Sequence, residues 1–130
     1  MRVLVVDDDP SILRTLALLL GPDVEVVTAL SVAAALTLLE GPPFDVVVAD
    51  LRLPDRWGDE LLAHVAARAP ATRRLLLTGD SDPERTVREL LDSGVVEACF
   101  RKPRADGLLE AIRGGAPPPF KRRSSSTLTR

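Results

Sequence analysis

Three consecutive aspartates, Asp7, Asp8 and Asp9, follow directly on the apolar run Val3-Leu4-Val5-Val6. Two later apolar runs end in Asp50 and in Thr78-Gly79, and a fourth ends at Cys99-Phe100-Arg101-Lys102-Pro103. Carboxylates gathered in one place repel, and each rises in pKa unless a cation neutralises them. Ligation by oxygen alone favours Mg²⁺, or Mn²⁺ in its place, held by one or two protein carboxylates, waters and a phosphate oxygen. A metal is therefore expected at Asp8 and Asp50. A carboxylate beside such a metal can attack phosphorus and become an aspartyl phosphate, because phosphoryl transfer needs mainly positioning and neutralised oxygens. Metal, Lys102 and Thr78 would each neutralise one oxygen. Among 17 basic residues only Lys102 and Lys121 are lysines, so position 102 calls for a compact ammonium, not a guanidinium fork.

These groups can converge only if the apolar runs are neighbouring parallel strands whose carboxyl ends share one crevice. The intervening segments supply the crossovers. Asp9-Pro10 starts a helix, with the side chain as cap and proline in the first turn, and Ile12, Leu13, Leu16, Leu19 and Leu20 follow at helical spacing up to the stop at Gly21-Pro22. A strand over residues 24–29 leads to Ser31 as a second cap and to an Ala/Leu-rich helix ending before Gly41-Pro42-Pro43. Residues 44–50 form a buried strand, 59–68 a helix carrying Leu61, Leu62 and Val65, and 74–78 a fourth strand. Asp82-Pro83 opens a helix that runs to Ser93-Gly94. Residues 95–100 make a fifth strand, and Leu108, Leu109 and Ile112 lie on a short last helix. Near-continuous apolar strands alternating with helices predict a doubly wound, three-layer α/β/α fold with a five-stranded parallel sheet.

The chain has 130 residues, 45% of them hydrophobic and 28% charged, which fits one globular domain with a sizeable core. The lone Cys99 can form no disulfide within the chain, so a reducing, cytoplasmic compartment is expected. No apolar stretch reaches a membrane span of roughly 20 residues. The net charge of −2 is uneven, because residues 114–130 hold Lys121, Arg122, Arg123 and Arg130 and no acid. The remaining part is acidic, which argues against a nucleic-acid face on it. Residues 1–113 are read as the folded domain and 114–130 as a flexible, basic, Ser-rich tail, with no DNA-binding domain after it.

Val5-Val6-Asp7-Asp8, Asp50-Leu51-Arg52-Leu53-Pro54 with Gly58, Thr78-Gly79 and Lys102-Pro103 together resemble the response-regulator receiver domain of two-component signalling. The blocks occur in that family's order and spacing over residues 1–113. The resemblance implies the strand order 2-1-3-4-5, which the general rule for doubly wound sheets illustrates with a member of this family. It further implies that Asp50 accepts a phosphoryl group from a phosphohistidine on a sensor histidine kinase or histidine phosphotransfer protein. Asp7 and Asp8 would organise Mg²⁺ together with Asp50 and the backbone carbonyl of Arg52. Lys102 would pair with the phosphoryl group and Thr78 would move inward to bond it, a switch controlling the binding of a downstream protein. The chain would act as a relay or switch and not as a metabolic enzyme.

Two positions depart from the family's pattern. Cys99 stands where Tyr or Phe is usual, and the last helix is cut short before Gly114-Gly115. They motivate a second reading, a receiver-like scaffold that signals by contact without phosphorylation. A third is a haloacid-dehalogenase-type phosphatase, in which Asp7 is nucleophile and Asp9 acid. Simpler roles are expected for Asp9 as a helix cap, His64 as a surface or boundary residue, Cys99 as a buried small hydrophobe and Trp57 as a loop residue beside the site.

Overall fold

The computed structural model describes residues 1–79, 81–102 and 107–114. Among these, strands β1 (Arg2–Val6), β2 (Glu25–Ala29), β3 (Val46–Asp50), β4 (Arg73–Thr78) and β5 (Ala98–Arg101) alternate with helices α1 (Pro10–Leu20), α2 (Val32–Leu39), α3 (Gly58–Arg68), α4 (Glu84–Ser93) and α5 (Leu108–Ile112). The strands form one parallel sheet in the order β2-β1-β3-β4-β5, as expected. Asp80, Pro103 and the expected tail beyond Gly114 lie outside the described residues.

Alternation along each strand divides the core in two. Leu4, Val6, Val47, Ala49, Leu76 and Cys99 face one side and pack against α2, α3 and α4. Val3, Val5, Val48, Leu75, Leu77 and Phe100 face the other and meet Leu13, Leu16 and Leu20 of α1 and Leu108 and Ile112 of α5. Every residue of β3 is buried, the reason that Val46-Val47-Val48-Ala49 reads as an unbroken apolar run and not as an alternation. Each of its valine side chains contributes about 1.5 kcal/mol or more by leaving water. On α1 the apolar stripe is narrower than the leucine count suggests, because Leu18 and Leu19 are exposed.

The helix caps follow the expected residues. Asp9 accepts the Ser11 N–H at 3.0 Å and Ser31 the Ala34 N–H at 3.1 Å. The largest boundary difference is at β5, which starts at Ala98 and not at Val95. Gly94 ends α4 at φ 82°, and Val96 donates back to the Leu90 carbonyl, so Val95 and Val96 complete the helix end. A second difference is at the start of α4, where Pro83 and not Asp82 holds the cap position.

Candidate functional site

Parallel register brings the expected groups to one rim. Val6 pairs with Ala29 and with Ala49, Asp50 with Leu77 and Thr78 with Arg101, so Asp7, Asp50, Thr78 and Lys102 stand at the carboxyl ends of adjacent strands. Backbone bonds extend the sheet just past those ends, from Leu51 N–H to Leu77 and from Lys102 N–H to Thr78.

Lys102 closes the cluster. Its Nζ donates to Asp7 Oδ2 at 3.0 Å and to Asp50 Oδ2 at 3.0 Å. The other Asp7 oxygen accepts the Asp9 N–H at 3.0 Å, which orients a carboxylate that is fully buried. Asp8 is exposed beside it, and carboxylate oxygens of Asp7, Asp8 and Asp50 lie within 4.8 Å of one another. Three carboxylates against one ammonium leave surplus negative charge in oxygen-only surroundings, the donor set that suits a hard divalent cation. Asp9 caps α1 and is absent from this trio. The phosphatase reading, which needs Asp9 as an acid, loses its second acid.

Electrostatics agree with the crowding. Burial pushes the Asp50 carboxyl above its ordinary range and the Asp7 charge adds to the push, against the hydrogen bond and charge of Lys102. For Lys102 burial opposes the charge, yet hydrogen bonds to Asp50 and Asp7 together prevail and its pKa is raised. Thr78 Oγ1 is buried with no hydrogen-bond partner. A buried hydroxyl usually finds one, so it is a donor held in reserve at the site's edge.

The loop after Asp50 is built tightly. Arg52 and Trp57 form an isolated antiparallel bridge, and Gly58 N–H donates to the Leu51 carbonyl at 2.7 Å. A Cβ at position 58 would collide with the Asp50 carbonyl, so only glycine fits beneath the acidic residue. Asp55 braces the loop from outside by accepting the Val32 and Ala33 N–H groups at 3.0 and 2.9 Å, and these bonds hold its carboxyl below the usual range. Asp82, nearly fully buried, pairs with Arg52 across the crevice and accepts the Gly79 N–H. Sequence reasoning missed these roles of Asp55 and Asp82, since Asp55 stands in a short loop with no partner near in sequence and Asp82-Pro83 read as a helix start. His64 is half-buried on α3 and takes no part. Cys99 is buried with its thiol pushed up to about 12 by burial, which marks it as packing and not as a reactive group.

The profile of the response regulator receiver domain matches residues 3–113. The chain is 30% identical over 111 residues to the hydrogenase transcriptional regulatory protein HoxA of Cupriavidus necator, covering 85% of this chain and 23% of that one. It is 38% identical over 94 residues to the DNA-binding transcriptional activator DevR/DosR of Mycobacterium tuberculosis, covering 70% of this chain and 43% of that one. The chain thus spans less than half the length of either relative. Among solved structures, a CheY-like response regulator receiver domain protein from Methanospirillum hungatei superposes with a TM-score of 0.75 at 31% identity, over 86% of this chain and 90% of that one. Fold, rim and profile agree, and the chain belongs to the response regulator receiver domain family.

Proposed function

We propose that this chain is the phosphoacceptor of a two-component relay, with residues 1–113 as its receiver domain and Asp50 as the residue phosphorylated. The observation that carries the reading is the Lys102 ammonium bridging Asp7 and Asp50 at 3.0 Å each, with the unpartnered Thr78 hydroxyl on the neighbouring strand. An Asp50 oxygen attacks the phosphorus of a phosphohistidine, forming an O–P bond as the N–P bond breaks, and the electron pair returns to the imidazole, which takes up a proton. Lys102 then exchanges its bond to Asp50 Oδ2 for one to a phosphoryl oxygen and keeps Asp7 as its anchor. Thr78 satisfies its hydroxyl by turning to a second oxygen. Asp7, Asp8, Asp50 and the Arg52 carbonyl would hold Mg²⁺, which when bound supplies positive charge to the phosphoryl oxygens. The donor is a sensor histidine kinase or phosphotransfer protein, the site of action the cytoplasm, and the output a change in protein binding.

Intact mass after incubation with acetyl phosphate and Mg²⁺ tests this. One phosphoryl adduct that needs Mg²⁺ and is lost in Asp50→Asn supports it; none in the wild type refutes it. The second reading, a scaffold indifferent to phosphorylation, draws on Cys99 in the aromatic's place and on the five-residue α5. Partner binding unchanged by the adduct would favour it.

A further inference from the structure

The segments that follow β3 and β4 are joined by a charge pair outside the acidic cluster. Arg52, on the β3–α3 loop, donates from Nε to Asp82 Oδ1 and from Nη2 to the Ser81 carbonyl. The Asp82 side chain is 2% exposed and that of Arg52 is 49% exposed. The second Asp82 oxygen accepts the N–H of Gly79 at 2.7 Å. One carboxylate thus ties a cation two residues past Asp50 to the backbone directly after Thr78, whose hydroxyl lacks a partner. The Arg52 guanidinium also lies over the Trp57 ring, 5.1 Å from its centroid. An open cleft of about 440 Å³ is lined by Arg52, Trp57 and the loop between them.

We propose that Arg52 and Asp82 form a latch, closed in the unphosphorylated chain, which opens when a phosphoryl group on Asp50 draws the Arg52 guanidinium away from Asp82. This inference rests on the phosphoacceptor reading of Asp50. A phosphoryl group brings up to about two negative charges and three acceptor oxygens. Asp82 offers one charge, and the planar fork of arginine pairs with either group. Asp82, when Arg52 leaves, is a buried carboxylate with one charged partner fewer, an unfavourable change. Movement of Ser81 and Asp82 toward water relieves it. Because Asp82 holds the Gly79 N–H, that movement begins beside Thr78 and frees its strand end to close on the phosphoryl group. Arg52 and Asp82 are positioning residues, coupling the charge on Asp50 to the β4–α4 loop. Coupling is reciprocal, so weakening the closed latch promotes phosphorylation.

The test compares wild type, Arg52→Gln, Asp82→Asn and the double variant, each given acetyl phosphate and Mg²⁺. Adduct is followed by intact mass and the loop by emission of Trp57, the chain's single tryptophan. Asparagine at 82 keeps an acceptor for Gly79 and removes the charge. Asp82→Asn is expected to accumulate adduct about tenfold faster, the size of coupling that contacting pairs reach. Before any phosphodonor is added, its Trp57 emission should already have moved toward that of the phosphorylated wild type. Arg52→Gln removes the cation that the phosphoryl group draws, so it should cancel most of the gain in the Asp82→Asn background. Urea denaturation of each variant shows that it is folded, and in folded Arg52→Gln the Trp57 emission must no longer respond to phosphorylation. Independent effects of the two substitutions, or a wild-type adduct that leaves Trp57 unchanged, overturn the latch while the phosphoacceptor reading stands. Absence of adduct in the wild type overturns both, and is seen before any variant is made.

Discussion

The two rims of the sheet use basic residues in opposite ways. At the amino ends of the strands, arginines reach the carbonyls where helices finish. Arg73 donates to Ala111 and Ile112 at the end of α5 and pairs with Glu97. Arg74 donates to Val95 and Gly94 after α4, and Arg113 to Leu20 at the end of α1. Helices run antiparallel to the strands, so their carbonyl-rich, partly negative ends gather on this rim, and multi-pronged guanidinium groups suit them. At the carboxyl rim a lone ammonium serves two buried carboxylates, and a hydroxyl goes unpaired. The amino rim is satisfied and holds the fold; the carboxyl rim keeps charge and bonding capacity in excess, which a phosphoryl group and a cation can use. At the amino rim arginine is the brace; between Asp7 and Asp50 lysine is the working charge.

Removing Lys102 should have the largest effect. Lys102→Ala leaves Asp7 and Asp50 without their shared cation and is expected to cost about 3 kcal/mol in urea denaturation, with no adduct formed from acetyl phosphate. Arg73→Ala, at the opposite rim, should cost about 2 kcal/mol, the worth of hydrogen bonds from a charged donor, and leave adduct formation intact. Loss of adduct in Arg73→Ala at a temperature where it stays folded would break the division between the rims.

Asp50→Asn sharpens the comparison in the other direction. Because burial raises the Asp50 pKa in the fold, folding favours the protonated form. That contribution is present below the unfolded value near 3.8 and lost as pH rises through the higher native value. Above that window the ionised wild type is penalised, so Asp50→Asn should melt a few degrees higher at neutral pH. The gain should vanish in acid, and a variant that melts lower at neutral pH would contradict the crowding of the rim. Asp55→Ala should lower the melting temperature by uncapping α2. Its carboxyl is held down by the Ala33 and Val32 N–H groups, so its contribution is present above about 3.8 and lost as pH falls through its lower native value. The smallest effect concerns Cys99: with its thiol at about 12, it should resist alkylation near neutral pH until the chain unfolds.

Much of this was legible in the residues. Apolar runs ending in Asp7, Asp50, Thr78 and Lys102 marked the strands and, through the family's strand order, the rim they share. Asp9 and Ser31 announced their helices, because a cap acts on backbone only two or three residues away. Leu19 fits the helical spacing of α1 and is nevertheless exposed, since spacing alone does not say where a helix face meets solvent. β5 was expected too early because the apolar Val95 and Val96 suit a helix end as well as a strand. The Asp55 cap on α2, the Arg52–Asp82 pair and the arginine brace had no local signal. They join residues 23, 30 and 38 positions apart.

By itself, then, the sequence determined the alternation of strands and helices, the residue types at the strand ends and the acidic chemistry they support. Those properties follow from periodicity and from neighbours along the chain. Only the tertiary structure decided that one ammonium is shared by Asp7 and Asp50, that Thr78 keeps an unspent hydroxyl, and that Arg52 turns to Asp82. Each outcome depends on which groups packing brings within about 3 Å of one another and which of them the fold has already satisfied.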